Sequence, residues 1–170
     1  MDHDSAIRFL SANRPLPPDS ELSDEVAATF DNVRRYFIAN PDRACIPMFL
    51  QAFGDGMGHG VYQICDDVFR CYDQSELTPH IVEALSSEQG CTRWWAAHWA
   101  MEFPDLAMLA GLSAIANASA DADAHYFALA AIGSIWQTTA DPDALHTIES
   151  RRDAETDPTL VELCDDILNS

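Results

Sequence analysis

Residues 92–103, TRWWAAHWAMEF, have the periodicity of an amphipathic helix, and the rest of the chain can be interpreted from them. Four residues at helical spacing form one apolar face: Ala96, Trp99, Ala100 and Phe103. Along a second face lie Trp95, His98 and Glu102. The pattern predicts that the first face packs in a core and that the second face is available to a partner.

The same pattern recurs at an interval of 32 residues, which relates Arg93 to His125. Forward, it gives HYFALAAIGSIW (125–136) and LVELCDDIL (160–168), and backward it gives VYQICDDVFRC (61–71). A second apolar helical stretch precedes each of these four copies: Cys45–Phe53, Leu77–Leu85, Leu106–Ala116 and Ala144–Ile148. A fixed period of this size is typical of stacked repeats. The sequence therefore predicts an all-α fold, an α-solenoid of about four antiparallel helical hairpins.

The chain has 170 residues and a hydrophobic content of 48%, which suits a single domain with its own core. Residues 1–22 contain three prolines and are expected to be partly extended, whereas the repeats occupy residues 43–169. Ser23 has the character of an N-cap, and its helix is expected to cap the N-terminal end of the stack. Acidic residues mark the starts of later helices: Asp73, Asp121, Asp123 and Asp141.

The composition is strongly acidic, with nine arginines, no lysine, 28 carboxylates and a formal net charge of −19. Such a surface repels a phosphate backbone, so direct binding of DNA or RNA is disfavoured. The absence of lysine excludes a phosphate-binding P-loop lysine and Schiff-base catalysis. No basic residue occurs between Arg93 and Arg151, so this part of the chain is expected to carry an unbalanced negative field.

The N-terminal residues lack an apolar signal segment, and no run of about eighteen apolar residues occurs. A soluble, cytoplasmic protein without a membrane contact is therefore expected. Five cysteines, an odd number, argue against a disulfide framework. Three of them lie in apolar helix patterns and are expected in the core: Cys45, Cys65 and Cys164.

The segment GDGMGHG (54–60) contains four of the seven glycines. It has two interpretations, a loop that binds a phosphate or a flexible turn between two helices. The turn is favoured because no strand precedes the segment, no Gly-Lys-Ser/Thr follows it, and the flanking charge is negative.

Residues suited to catalysis or metal binding are present but not in the usual arrangements. The six histidines form no His-x-x-x-His pair, and no Cys-x-x-Cys occurs. Cys65, Asp66 and Asp67 near His59 are the strongest candidates for a metal site. The adjacent carboxylates of Asp66 and Asp67 point about 100° apart on a helix, so they do not converge on one substrate atom. We therefore expect no catalytic metal, no cofactor and no enzymatic activity.

The predicted hairpins resemble HEAT-like repeats of the short bacterial type, whose second helix carries an arginine followed by paired alanines. Arg93, Ala96, Ala97 and Ala100 match that pattern, and His125 replaces the arginine in the next copy. In size, charge and architecture the chain also resembles small acidic immunity proteins of bacterial toxin systems. That second resemblance implies a protein that binds and silences a toxin, but it carries no residue over to this chain.

Two rows of equivalent positions are the candidate binding surface. One row contains Tyr62, Trp94 and Tyr126, and the other contains Gln63, Trp95 and Phe127. Either row can face outward, or both can fill the core. With the polar residues beside them, the expected partner-binding residues are Tyr62, Asp66, Trp94, Trp95, His98, Glu102 and Tyr126. Aromatic anchors beside acids suit a basic protein, in particular a toxin domain. The alternatives are a general scaffold and a HEAT-like lyase or chaperone for a small molecule.

Overall fold

The computed structural model of the protein describes residues 1–118 and 122–170. Regular structure in these residues is entirely helical, which confirms the predicted all-α class. The α-helices are α1 (His3–Ala12), α2 (Asp24–Ala39), α3 (Cys45–Ala52), α4 (Asp66–Phe69), α5 (Gln74–Leu85), α6 (Gly90–Glu102), α7 (Leu109–Ala118), α8 (Ala122–Thr139), α9 (Pro142–Ala154) and α10 (Pro158–Leu168). Three short 3-10 turns accompany them: Gly58–Gly60, Tyr62–Ile64 and Leu106–Met108.

The chain forms two compact units, residues 1–95 and 96–170, and the boundary falls within α6. The single domain inferred from chain length stays a prediction. No helix in the described part of the chain combines the length and the apolar content needed to cross a membrane.

Acidic and hydroxyl side chains begin several helices as the sequence predicts. The Ser23 hydroxyl accepts a hydrogen bond from the Val26 N–H at the start of α2. Asp73 and Glu76 form a reciprocal capping box at α5. The Asp141 carboxylate accepts from two backbone N–H groups at the start of α9. Asp121, also predicted at a helix start, lies outside the described residues.

An aromatic cluster fills the core of the first unit. Phe30 of α2 contacts Phe49 and Tyr62, with ring centroids 5.7 and 5.5 Å apart. Phe53 and Tyr62 in turn contact Trp95, at 5.1 and 5.5 Å. Most of these ring pairs meet edge to face, which places the positive edge of one ring against the negative face of the next. The indole of Trp95 is completely buried as a result.

Residues 61–71 do not form the continuous helix predicted for them. They contain the 3-10 turn Tyr62–Ile64 and then α4, which has only four residues. Gly58 lies at φ +59°, and a Cβ there would come within 2.3 Å of the Tyr62 ring. The Tyr62 ring therefore packs directly over the Gly58 backbone. This contact places Tyr62 in the core at a point where the chain forms a 3-10 turn instead of an α-helix.

The glycine-rich segment 54–60 is held by a carboxylate from the N-terminal part of the chain. The Asp19 carboxylate accepts hydrogen bonds from the N–H groups of Met57 and Gly58, at 2.9 and 2.8 Å. The Asp19 N–H donates to the Asp55 carbonyl at 3.1 Å. Two backbone donors that could receive a phosphate, the N–H groups of Met57 and Gly58, are thus occupied by an internal anion. The segment is a turn, as predicted, but one fixed by contacts with residues about 40 positions away.

Arg34 of α2 connects this helix to residues 64–67. Its guanidinium is almost completely buried and contacts the Asp31 carboxylate at 2.8 Å. It also donates to the Ile64 carbonyl and to the Asp67 carboxylate, both at 3.2 Å. A buried charge must be paired in this way, because desolvation strongly penalises an isolated one. Arg34 thereby fixes the turn that precedes α4.

In the second unit, α7 packs on α8, and α9 and α10 pack on α8 and on each other. All four residues predicted at helix contacts are completely buried, which confirms that prediction: Ala96, Ala100, Ala128 and Ile132. Gly133 of α8 allows a close approach of α10, because a Cβ at this position would lie 2.8 Å from the Ile167 side chain.

We expect Asp19→Ala to lower the free energy of unfolding by about 1–3 kcal/mol, because two partly buried N–H groups lose their acceptor. Urea denaturation followed by circular dichroism measures this loss. Asp55→Ala, an exposed acid in the same loop, is the matched control and should change the value by less than about 0.5 kcal/mol. Equal effects of the two substitutions would show that the Asp19 contacts contribute nothing beyond charge.

Candidate protein-binding surface

A partly exposed aromatic cluster lies on the second unit, where α6 and α8 approach each other. His98 of α6 contacts Phe127 of α8, with ring centroids 5.1 Å apart. Phe127 contacts Tyr126 at 5.6 Å, and Tyr126 is 37% exposed. His98 and Phe127 are half-buried. The structure therefore brings together two of the seven predicted binding residues, His98 and Tyr126, and adds Phe127.

Acidic residues flank this aromatic cluster. Glu102 lies one turn after His98 on α6 and is exposed. Asp123 lies in the first turn of α8, three residues before Tyr126, and is also exposed. Rings surrounded by carboxylates can provide both apolar contact area and attraction for a positively charged surface.

The second unit has very little positive charge. Residues 96–170 contain thirteen carboxylates but only Arg151 and Arg152. Arg151 contacts Glu155 at 3.0 Å, and Arg152 contacts Asp165 at 2.9 Å. Both arginines are therefore already paired within the unit, and the remaining carboxylates produce the negative field predicted for this part of the chain.

Every arginine of the protein is engaged within the chain. Six contact carboxylates: Arg34, Arg35, Arg43, Arg70, Arg151 and Arg152. The other three, Arg8, Arg14 and Arg93, donate to the Ser5 hydroxyl, the Gln51 side chain and the Ser87 carbonyl. Binding of an external anion would require one of these internal contacts to be exchanged.

The sequence pattern is wrong about two of the predicted binding residues, which it expects at a surface. Tyr62 is 1% exposed and Trp95 is completely buried, so neither side chain can contact a partner. Burial raises the pKa of the Tyr62 hydroxyl to about 12. The hydroxyl accepts a hydrogen bond from the Gly54 N–H at 3.4 Å. Both residues are drawn inward by the aromatic core around Phe53.

Trp94 and Asp66 remain accessible in the first unit. Trp94 is half-buried and meets Trp95 edge to face, with centroids 4.3 Å apart. Of the two adjacent tryptophans, Trp94 is therefore the one with an exposed part. The Asp66 carboxylate is 31% exposed and contacts Arg70 one turn later at 3.2 Å.

A partly buried polar cluster in the second unit connects α8, the end of α9 and the turn before α10. Arg151 donates to the His125 Nε2 at 3.2 Å and to the Glu155 carboxylate at 3.0 Å. Glu155 also accepts from the N–H groups of Thr156 and Asp157 before α10. Burial lowers the pKa of His125, and the adjacent Arg151 lowers it further. The pKa of Glu155 is lowered chiefly by the two backbone N–H groups. His125 is thus held as a neutral acceptor for Arg151.

A separate cleft of about 340 Å³ lies in the first unit between α3, α5 and the start of α6. His80 and Glu83 of α5 line it, and neither side chain forms a hydrogen bond or ion pair with another described residue. The sequence interpretation missed both residues. Their spacing of three on one helix was a signal that they share a face, but the cleft depends on α3, which is remote in sequence.

No group of three or more potential metal ligands is present among residues 1–118 and 122–170. The expected lack of enzymatic activity is not tested by this geometry and stays a prediction. Comparison of the chain with protein-family models, with curated proteins and with solved structures found no match.

We expect the protein to become less stable as the pH decreases, and we expect part of this loss to come from His125. Because its pKa is lowered in the folded state, the unfolded state binds the proton first. The contribution is therefore complete above the ordinary value of 6.5 and is lost as pH falls through the lowered pKa. Urea unfolding at several pH values between about 7.5 and 5 measures it.

His125→Gln is the matched variant, since glutamine offers an acceptor to Arg151 but does not titrate. Its free energy of unfolding should decline less over the same pH range than that of the wild-type chain. His3 has a raised pKa because of Asp42 and contributes with the opposite sign, but it is present in both proteins. Parallel pH profiles of the two proteins would contradict the assignment.

Proposed function

We propose that this chain is a non-catalytic inhibitor that binds a basic protein in the cytoplasm. In particular, we propose an immunity protein that neutralises a nuclease-type bacterial toxin by occluding its active site. The observation that carries the proposal is the charge of the second unit, where thirteen carboxylates stand against two arginines that are both paired internally. Folding alone does not require such an imbalance, because self-repulsion weakens the compact state.

A basic partner would benefit from this charge. Opposite charges accelerate the encounter between two proteins and suppress binding to acidic competitors. The active site of a nuclease attracts phosphate groups, so carboxylates can compete for the same positive surface. Arginines engaged within this chain also leave direct nucleic-acid binding without its usual cationic contacts.

The proposed contact residues are those of the predicted set that have exposed side-chain surface: Asp66, Trp94, His98, Glu102 and Tyr126. Aromatic side chains carry much of the binding energy in many protein interfaces, and surrounding acids steer association. Asp66 and Trp94 belong to the first unit, and His98, Glu102 and Tyr126 belong to the second. Tyr62 and Trp95 are buried in the core of the first unit and are not proposed as contacts.

The proposed framework is a HEAT-like α-solenoid. Consecutive helices α7 and α8 pack on each other, as do α9 and α10, which supports two of the four predicted hairpins. The broken segment 61–71 departs from the repeat pattern. Rigid stacked hairpins would present a preformed surface and would therefore lose little conformational entropy on binding.

The first experiment identifies the partner. Tagged full-length protein is isolated from its source cells at low salt, and proteins recovered in stoichiometric amounts are identified by mass spectrometry. We expect a basic protein whose purified form binds less tightly as salt rises from about 50 to 500 mM, since the screening length shrinks severalfold. An acidic partner, or affinity independent of salt, would contradict the proposal. A general scaffold would have several unrelated partners, and a lyase or chaperone would retain a small molecule.

We expect Trp94→Ala and Tyr126→Ala each to weaken binding of the identified partner by about 2 kcal/mol or more, roughly 30-fold. Isothermal titration calorimetry measures the loss. Tyr36→Ala, which removes another half-buried aromatic ring outside the proposed surface, should leave affinity unchanged within about twofold. Trp95→Ala is expected to lower stability instead, because it removes a completely buried side chain. Full affinity of the Trp94 and Tyr126 variants would exclude these anchors.

A further inference from the structure

The cleft between α3 and α5 has an apolar floor and two polar side chains, His80 and Glu83, that form no hydrogen bond or ion pair with another described residue. Pro47, Leu50 and Ala84 form the apolar part, while His80 and Glu83 are the titratable groups that line it. Its volume of about 340 Å³ is near the lower end of the range of ligand pockets, roughly 300–1,000 Å³. The cleft can thus hold one side chain or a similarly small group.

The charge of the residues that line the cleft indicates whether it would bind a cation or an anion. Glu83 supplies a carboxylate, and no arginine is among the described residues that line the cleft. Two guanidinium groups bond to residues that line the cleft, and each therefore already has an internal acceptor: Arg93 donates to the Ser87 carbonyl, and Arg14 donates to the Gln51 side chain. An anionic ligand would meet Glu83 and the field of a chain with net charge −19. A cation would find an unpaired carboxylate.

The apolar floor adds a second requirement. A guanidinium or ammonium group on a chain of methylenes can place its head near Glu83 and lay its stem against Pro47, which is half-buried, whereas Leu50 and Ala84 are already buried beneath it. The His80 ring offers a further hydrogen-bonding nitrogen at the same end of the helix. A small inorganic cation would leave the apolar floor uncovered.

A second cleft of about 270 Å³ shares Gln51 and Ser87 with the first. It adds Arg14, Glu88 and Gln89, and the Arg14 guanidinium donates to the Gln51 side chain. Among the described lining residues of the two clefts, the carboxylates are those of Glu83 and Glu88, and the arginine is Arg14, which is bonded to Gln51.

We infer that the cleft between α3 and α5 receives an arginine or lysine side chain of a basic protein partner, with Glu83 binding the cationic head. This inference rests on the proposed function, since it names a specific contact with the partner. It adds a binding position within the first unit.

The test uses N-acetyl-arginine methylamide as the probe and methyl NMR of the full chain as the measurement. We expect saturable shifts at the Leu50 and Ala84 methyl groups, with a Kd on the order of millimolar. The neutral isostere N-acetyl-citrulline methylamide should bind at least about tenfold more weakly, because it lacks the charge that Glu83 attracts. Equal binding of the two probes, or shifts located elsewhere, would overturn the inference.

Glu83→Gln tests the named contact, and Glu25→Gln is the matched control because Glu25 is also an exposed helical glutamate. We expect Glu83→Gln to weaken arginine binding about tenfold and Glu25→Gln to change it less than twofold. Similar losses in both variants would mean that only the overall charge matters and would overturn the inference.

The same variants separate this inference from the proposed function. If arginine does not bind the cleft while the identified basic partner still binds in a salt-dependent manner, the cleft assignment fails alone. If arginine binds as expected and the identified partner is acidic, the proposed function fails, and with it the identification of the cleft's occupant as that partner's side chain.

Discussion

A shortage of positive charge is the constraint on which the rest of this structure depends. The chain has nine arginines and 28 carboxylates, and each arginine forms an ion pair or a hydrogen bond within the chain. The fold uses backbone N–H groups as additional partners for its acids. Asp141 begins a helix in this way, and Asp19 holds the glycine-rich segment. Such contacts stabilise a carboxylate without a cation, because several N–H dipoles point toward it.

The two units differ in how their carboxylates are paired with arginines. In the first unit, buried Arg34 links α2 to residues 64–67 and pairs with Asp31 and Asp67. In the second unit, the only two arginines lie together on α9 and are consumed by nearby Glu155 and Asp165. The thirteen carboxylates of that unit thus outnumber its arginines by eleven.

The aromatic residues divide between core and surface in a way that repeat equivalence did not predict. Tyr62, Trp94 and Tyr126 occupy equivalent positions in the repeat pattern, yet their exposure ranges from 1% for Tyr62 to 37% for Tyr126. The difference arises because Tyr62 belongs to a 3-10 turn packed over Gly58, whereas Tyr126 belongs to a regular helix. The contact surface proposed here consequently has fewer aromatic anchors than the pattern suggested, but they are accompanied by Phe127.

The sequence by itself determined the features that depend on near neighbours or on simple sums. Helical periodicity identified the helical class and the buried alanines, capping residues marked several helix starts, and composition established the charge. These features involve residues within about one helical turn of each other or require no geometry at all. Only the tertiary structure decided that Trp95 is buried, that Asp19 occupies the glycine-rich turn, and that His80 and Glu83 face a cleft. Each of these outcomes depends on which distant segments pack together, because burial and hydrogen-bond partners are set by contacts that sequence spacing does not encode.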